Sequence, residues 1–144
     1  MKTNAEFWDT SAIVPLCVKQ NATRIFRARW RKSSAIVVWW GTAVEVRSAL
    51  SRLRGENLID ANGLQFALVR LEAMRKQWRE ILPNDKMREI AELLPDAYGL
   101  RALDSFQLAA ALIWCREKPK NRVFVCDDVR LTAAALKTGF VLKP

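Results

Sequence analysis

Short apolar segments separated by helical segments constrain the fold of this 144-residue chain most. Residues 35–40 and 123–126 are rich in β-branched and aromatic side chains, which is typical of buried strands. Residues 6–8 and 140–142 are shorter candidates of the same kind. Strands that alternate with helices predict a parallel sheet, because parallel neighbours need long crossover connections. We therefore expect a three-layer α/β fold with a central sheet of four to five short strands, built as a single domain over residues 1–144.

Apolar residues at helical spacing predict that the segments between these strands are helices. Pro15 interrupts the first helix, which predicts a kink or a late start. Gly139 is expected to end the last one. The helix at 103–116 is apolar on nearly every side, so we expect it to be central. The predicted helices cover residues 11–19, 21–32, 42–54, 60–82, 84–94, 103–116 and 131–137.

Composition excludes several classes of function. The chain has no histidine, which removes Ser-His-Asp and Cys-His nucleophiles and histidine-bound zinc or iron. Its three cysteines form no Cys-x-x-Cys pair and are expected to be buried thiols. No apolar run approaches the ~18 residues of a membrane span, and the first 18 residues lack a signal-peptide pattern. We expect a cytoplasmic protein that does not bind membranes.

Four acidic residues stand out in a chain of net charge +9. Asp9, Glu45, Asp104 and Asp128 each follow a predicted strand or begin a predicted helix. In open parallel sheets the working cleft lies at the carboxyl ends of the strands. Carboxylates that converge there repel one another unless a cation screens them, and Mg²⁺ or Mn²⁺ suits an all-oxygen site. A cation and a basic surface together point to a phosphate backbone as substrate.

Each acid also has a structural explanation. Asp9 is suited to cap the helix that follows it. Thr42 and Glu45 form a capping-box pattern, and for Glu45 taken alone a cap and a cleft position are equally favoured. The helix dipole favours Asp104 in a first turn.

The segment from residue 19 to 32 carries six basic residues and no acid. A helical step of ~100° per residue places Arg24, Arg27 and Arg31 on one ridge. This ridge is either a solvated helix face or a phosphate-binding surface, and the absence of acidic partners favours RNA or DNA contact.

Four motifs in order resemble the PIN-domain nucleases of the VapC toxin type. An Asp followed by small hydroxyl residues is matched at residues 7–12, and a helix-opening Glu by Glu45. A Leu-Arg-x-x-Asp-x-x-x-Leu-Ala-Ala pattern is matched at residues 100–110. A strand leading to Asp-x-Arg-Leu is matched at residues 123–131. The resemblance spans nearly the whole chain.

The sequence departs from this family at three points. Gln107 stands where many members have His, and Cys126 where Thr or Ser is common. The Asp127-Asp128 doublet leaves the fourth acid ambiguous, but the register of Asp-x-Arg-Leu favours Asp128. One of the two should face the cleft and the other solvent or the following helix.

The resemblance implies a PIN-like fold and a Mg²⁺-dependent endoribonuclease, with Mn²⁺ as a substitute. Asp9, Asp104 and Asp128 would hold the metal, Glu45 would join them in catalysis, and Arg24, Arg27 and Arg31 are candidates for binding RNA. The implied partners are an antitoxin and a second copy of the chain. The alternatives are a noncatalytic RNA-binding PIN fold and a phosphatase with a strand-end Asp nucleophile; the latter wants an Asp at position 11, which is Ser.

Overall fold

In the computed structural model, which describes residues 5–143, five strands alternate with seven helices. In chain order the elements are β1 (Glu6–Trp8), α1 (Thr10–Cys17), α2 (Thr23–Lys32), β2 (Ile36–Trp39), α3 (Thr42–Gly55), α4 (Ala61–Arg75), β3 (Trp78–Ile81), α5 (Asp85–Tyr98), α6 (Ala102–Trp114), β4 (Val123–Val125), α7 (Val129–Thr138) and β5 (Val141–Leu142). Residues 1–4 and 144 lie outside the described residues. The single-domain prediction covered all of them, and the signal-peptide argument covered residues 1–4.

The strands form one sheet in the order β3-β2-β1-β4-β5, and every neighbouring pair is parallel. The predicted α/β fold with four to five strands is therefore confirmed. The chain winds from β1 toward β3 on one side and then returns to β4 on the other. A crevice opens outside the carboxyl ends of the strands at such a switch point.

Alternating side chains of the strands enter two separate cores, because successive residues of a strand point to opposite faces. Phe7 and Phe124 pack with α5, α6 and α7, whereas Trp8 and Val125 pack with α1 to α4. The middle of α6 is fully buried, as its apolar composition predicted. No helix within residues 5–143 is long and apolar enough to cross a bilayer.

The predicted helix over residues 60–82 is wrong beyond Arg75. α4 ends at Arg75, and residues 78–81 form β3, whose Trp78 pairs with Ile36 of β2. The helical pattern of apolar residues continues through Trp78, but that side chain is buried here as part of a strand. The open edge of β2 supplies backbone partners, and this long-range pairing overrides local helix propensity.

The predicted helix between Pro83 and Pro95 is also longer than expected. α5 continues through Pro95 to Tyr98 and ends at Gly99, which has a left-handed φ of 67°. Its N–H bonds to the carbonyl of Pro95, so a glycine cap closes the helix. Gly139 ends α7 in the same way, as predicted, with φ 119°.

Candidate active site

The structure brings the four predicted acids to one cleft of about 560 Å³. Asp9 directly follows β1, and Asp128 lies three residues beyond β4. Glu45 and Asp104 stand in the first turns of α3 and α6. The cleft therefore opens at the carboxyl ends of the central strands, where the fold predicts a working site.

Asp9 both caps α1 and lines the cleft. It is buried, and its Oδ2 accepts hydrogen bonds from the Ser11 N–H at 3.0 Å and the Ser11 hydroxyl at 2.6 Å. Burial raises the pKa of Asp9, and the bonds from Ser11 oppose that rise. The capping explanation and the cleft position thus hold together for this residue.

Glu45 does not form a capping box. The N-cap of α3 is Gly41, without a side-chain cap, and the Glu45 carboxylate instead accepts from the Thr10 hydroxyl at 3.1 Å and from Gln107 Nε2 at 3.3 Å. Burial, followed by the charge of Asp9, raises the pKa of Glu45 to about 7. The capping-box interpretation is wrong because the side chain turns toward other elements rather than back along its own helix.

Gln107 is a buried organising residue that sequence reasoning named only as a departure from the family. From α6 its Nε2 donates toward the Thr10 hydroxyl at 3.0 Å and the Thr42 hydroxyl at 3.1 Å as well as toward Glu45. The only signal for it in the sequence is a single amide in an otherwise apolar central helix. It connects α1, α3 and α6 directly beneath the cleft.

Asp104 lies between like charges and two arginines. Burial, and then the charges of Asp9 and Asp128, raise its pKa to about 6, while Arg101 and Arg130 act in the opposite direction. Three of the four cleft acids thus have raised pKa values in the metal-free protein. Arg52 also lines the cleft, but it makes no ion pair with these acids within residues 5–143.

The Asp127-Asp128 doublet divides as predicted. Asp128 lines the cleft and also caps α7, with its Oδ1 accepting from the Leu131 N–H at 2.8 Å. Asp127 is exposed and does not line this cleft, and its N–H donates to the Ser11 hydroxyl at 2.8 Å. Ser11 thereby ties the turn after β4 to the capping oxygen of Asp9.

Cys126 supports the same turn through its sulfur. The Asp128 N–H donates to Sγ at 3.3 Å, and Sγ lies 3.6 Å from Asp9 Oδ2. Burial raises the pKa of Cys126 to about 12, so the group stays a thiol at neutral pH. A thiol here makes the contacts expected of the hydroxyl that is common at this position.

A basic groove of about 780 Å³ adjoins the cleft. It is lined by the predicted ridge of Arg24, Arg27 and Arg31, together with Lys19 and Arg70, and by no acid among the described residues. Gln20 lines both the groove and the cleft. Arg70 comes from α4 and was not predicted, since nothing in its local sequence distinguishes it.

The donor set of the cleft suits a hard divalent cation. Carboxylate oxygens are the ligands that Mg²⁺ and Mn²⁺ prefer, and burial together with neighbouring acids raises the pKa values of Glu45 and Asp104. Across residues 5–143, however, no three acidic or cysteine side chains are already grouped as a metal site. The chemistry of the cleft therefore fits the ion, whereas its side chains are not assembled around one.

Comparisons with known proteins identify the fold. No family model and no curated protein matches the sequence. A chain in the crystal structure of VapBC-5 from Mycobacterium tuberculosis, a member of the VapBC family of toxin–antitoxin systems, superposes with a TM-score of 0.62 at 14% identity, covering 96% of this chain and 97% of that one. VapC20 of the same organism, a sarcin-ricin loop cleaving toxin, gives 0.67 at 20% identity over 99% and 100%. The chain therefore has the PIN-type fold of the VapC toxins, as its four motifs predicted.

Proposed function

We propose that this protein is a metal-dependent endoribonuclease and the toxin of a toxin–antitoxin pair. The observation that carries the proposal is the convergence of Asp9, Glu45, Asp104 and Asp128, from four separate segments, on one cleft of a VapC-type fold. VapC20 shares that fold and cleaves the sarcin-ricin loop. A basic groove beside the cleft gives a polyanionic substrate a surface to bind.

In this proposal Asp9, Asp104 and Asp128 hold Mg²⁺, with Mn²⁺ as a substitute. A bound divalent cation supplies Lewis-acid stabilisation of the charge that develops on the scissile phosphate. A cation there would also offset the burial that raises the pKa values of Asp9 and Asp104 and the repulsion from Asp9 and Asp128 that raises the pKa of Asp104 further. These residues would hold the ion, although no three acidic or cysteine side chains within residues 5–143 are grouped as a metal site.

Glu45 has a different part in the reaction. Thr10 and Gln107 hold its carboxylate at the edge of the cleft, beside Asp9. A carboxylate fixed in this way is suited to orient the attacking water and accept its proton. The proton passes from the water oxygen to Glu45 as that oxygen bonds to phosphorus, while the phosphorus–oxygen bond to the leaving ribose oxygen breaks and this oxygen takes a proton from solvent water.

The arginine ridge binds the RNA backbone in this proposal. Arg24, Arg27 and Arg31 are exposed and make no ion pair within residues 5–143, so their charges remain available. Lys19 and Arg70 add to the same groove. Phosphate contacts of this kind hold the strand without reading its sequence.

Partner proteins belong to the same proposal. We further propose an antitoxin that occludes the cleft, a homodimer and a cytoplasmic location; VapBC-5, whose fold this chain resembles, is a member of a family of toxin–antitoxin systems. Three exposed apolar side chains, Val44, Leu103 and Val129, line the cleft and the cavity next to it. They offer a protein partner apolar surface to cover at the mouth of the site.

Purified protein incubated with total RNA in Mg²⁺, in Mn²⁺ and in EDTA tests the function. We expect cleavage with either metal, none in EDTA, and none by Glu45→Gln. Sequencing RNA ends after induced expression would identify the target. Cleavage that persists in EDTA contradicts metal dependence.

The second candidate is a noncatalytic RNA-binding protein with the same fold. The basic groove favours it, because that surface could bind RNA and contains none of the four cleft acids. RNA binding without cleavage under every metal condition would establish it in place of the nuclease.

A further inference from the structure

The α6–β4 loop, residues 116–122, concentrates positive charge away from the sites described so far. It contains four basic residues and one acid, Glu117, which lies 3.8 Å from Lys86 of α5. The four basic residues are Arg116, Lys118, Lys120 and Arg122. All four are exposed, and none of them makes an ion pair within residues 5–143. Their charges are therefore available to an anion outside the fold.

The backbone of the α6–β4 loop is strained. Among residues 5–143, four residues other than glycine have a left-handed φ, and three of them lie in this loop. They are Arg116 at 55°, Glu117 at 59° and Asn121 at 64°. A side chain makes this conformation costly, although asparagine tolerates it better than arginine or glutamate does. Strain of this kind clusters at functional sites, where it is kept for a reason other than stability.

Arg116 occupies a position that favours glycine. The N–H groups of Arg116 and Glu117 donate to carbonyls in the last turn of α6 at 3.1 and 2.7 Å. Helices that end in such a turn usually have glycine in the left-handed position. α5 and α7 end in this chain at Gly99 and Gly139, both with left-handed φ. Since glycine would serve the end of α6 as well, the geometry of the turn does not account for the arginine.

Contacts on both sides hold the α6–β4 loop in place. The guanidinium of Arg122 lies 5.3 Å from the centre of the Trp114 ring, and its N–H donates to the Pro119 carbonyl at 2.9 Å. The Arg122 carbonyl in turn accepts from the Val141 N–H at 2.8 Å. A backbone that is fixed before binding presents its charges at a smaller entropic cost.

The α6–β4 loop and the cleft acids lie at opposite edges of the sheet. The loop leads into β4 at its amino end, whereas Asp128 follows the carboxyl end of that strand. Three residues of strand span about 10 Å. Exposed charges separated by about 10 Å or more are largely screened at physiological salt. An anion on the loop is therefore little affected by the acids of the cleft.

The composition of the loop indicates the class of its partner. The sequence Arg-Glu-Lys-Pro-Lys-Asn-Arg contains no large apolar side chain. Protein interfaces and membrane contacts depend on apolar anchors. A phosphate backbone is instead bound by cations without such anchors. The loop thus suits a nucleic acid better than a protein or a bilayer.

We propose that the α6–β4 loop binds the phosphate backbone of folded RNA, at a second surface on the opposite edge of the sheet from the acidic cleft. The inference rests on the proposed function for its ligand, and it assigns a binding surface rather than a catalytic residue. Contact with the backbone is independent of base sequence. A second contact of this kind keeps a large RNA near the protein between encounters with the cleft.

Salt-dependent binding tests the proposal without requiring cleavage. Anisotropy of a labelled hairpin RNA is measured in EDTA from low to high salt for wild type and Lys118→Gln/Lys120→Gln. Each lost phosphate contact reduces the slope of log K against log salt by roughly 0.7–0.9, so we expect the double variant to reduce it by about 1.4–1.8. Lys118→Arg/Lys120→Arg keeps both charges and should retain the wild-type slope.

Arg54→Gln/Arg79→Gln is the matched control. Both arginines are exposed, make no ion pair within residues 5–143 and lie outside the α6–β4 loop and the basic groove, while the change in net charge is the same. The slope of this variant should equal that of wild type. An equal fall in the control overturns the proposal, since net charge alone would then explain the weaker binding.

Arg116→Gly separates RNA binding from stability. Glycine adopts the left-handed conformation without strain, so the melting temperature should rise. Loss of the charge should at the same time reduce the salt slope by roughly 0.7–0.9. A lower melting temperature would overturn the inference, because the arginine would then be kept for the fold.

Other outcomes distinguish this inference from the nuclease proposal. If wild type binds RNA but never cuts it, a reduced slope for Lys118→Gln/Lys120→Gln still supports the second surface while the nuclease proposal fails. If cleavage occurs and the slope of that variant is unchanged, the nuclease stands and the inference is overturned. The loop would then be a surface for an acidic protein or for solvent.

Discussion

The buried acids at the two ends of strand β1 differ in whether they have a cationic partner. At its amino end Glu6 is fully buried, ion-paired with Arg29 and hydrogen-bonded by the Ser33 hydroxyl. At its carboxyl end Asp9 is also buried, but its donors are neutral groups of Ser11, and its neighbours include Glu45. Only Phe7 and Trp8 separate Glu6, which has a cationic partner, from Asp9, which has none within residues 5–143.

This difference distinguishes an acid that is buried as part of the fold from an acid that is buried at a candidate active site. A buried charge is costly unless it is paired, and at Glu6 the helix α2 supplies the partner. At the other end the hydrogen-bond donors are neutral, burial raises the pKa values of Asp9, Glu45 and Asp104, and neighbouring acids raise those of Glu45 and Asp104 further. Acids left uncompensated in a cleft are a recognised sign of a site that awaits a ligand.

Breaking the pair at the amino end should have the largest effect on stability. Arg29→Met leaves Glu6 buried without its cation, and we expect the free energy of unfolding in urea to fall by about 3–5 kcal/mol. The double variant Glu6→Gln/Arg29→Met should recover part of this loss, because it removes the stranded charge. A fall below about 1 kcal/mol in the single variant would show that the pair does not hold β1 to α2.

Removing acids at the carboxyl end should spare the fold and stop the reaction. Asp9→Asn and Asp104→Asn should each lower the cleavage rate more than about 100-fold. Residues that only contact a metal ligand, without binding the metal themselves, typically contribute about 10- to 100-fold. Asparagine still caps a helix, so Asp9→Asn should melt near wild type without metal.

Asp127→Asn is the control for this pair of variants, since Asp127 is adjacent in sequence but lines a different cavity. It should cut at the wild-type rate. Full activity in both cleft variants, or loss of activity in the control, would contradict the assignment of the acids.

The cluster of acids at the carboxyl end of β1 could be predicted from the sequence, whereas the ion pair at its amino end could not. Strand ends and first helical turns are local features, so Asp9, Glu45, Asp104 and Asp128 could be placed near one another from alternation alone. The Glu6–Arg29 pair joins a strand to a helix more than 20 residues away, and neither residue has a local pattern that marks it. Its partner choice depends on how α2 packs, which spacing does not reveal.

Long-range contacts also account for the other failures. β3 exists because β2 has an open edge, although Trp78 continues the apolar pattern of the preceding helix. Glu45 fits a capping box by spacing but is drawn to Gln107, which lies 62 positions away. In both cases the local sequence favours one structure, but a contact with a residue distant in sequence stabilises another.

Loss of Gln107 should reduce the cleavage rate at the acidic cleft without abolishing it. Gln107→Leu removes the donor that holds Glu45, so we expect cleavage to fall about 10- to 100-fold, mainly in kcat. The hydrogen bond also lowers the pKa of Glu45, so the midpoint of the pH–rate profile should move upward. Gln107→His keeps a donor at this position and should restore most of the activity; equal loss in both variants would indicate disturbed packing instead.

The smallest effect expected is a pH dependence of stability confined to the acidic end. Without metal, the pKa of Glu45 is raised to about 7 and that of Asp104 to about 6, so the folded state holds more protons than the unfolded state between about pH 4 and 7. Stability is then highest at low pH and falls as pH rises through this window. Partial exposure screens these groups, so we expect a loss of about 1–2 kcal/mol from pH 5 to 8.

The chain has no histidine, so few other groups titrate in this range. Urea unfolding in EDTA at pH 5 and pH 8 measures the difference, and Glu45→Gln should shrink it while Glu92→Gln, an exposed change on α5, should not. Mg²⁺ binds ionised carboxylates, so it should stabilise the wild type more at pH 8 than at pH 5. Metal-free stability that rises with pH would mean that the acids at the carboxyl end of β1 are compensated after all, as Glu6 is at the amino end.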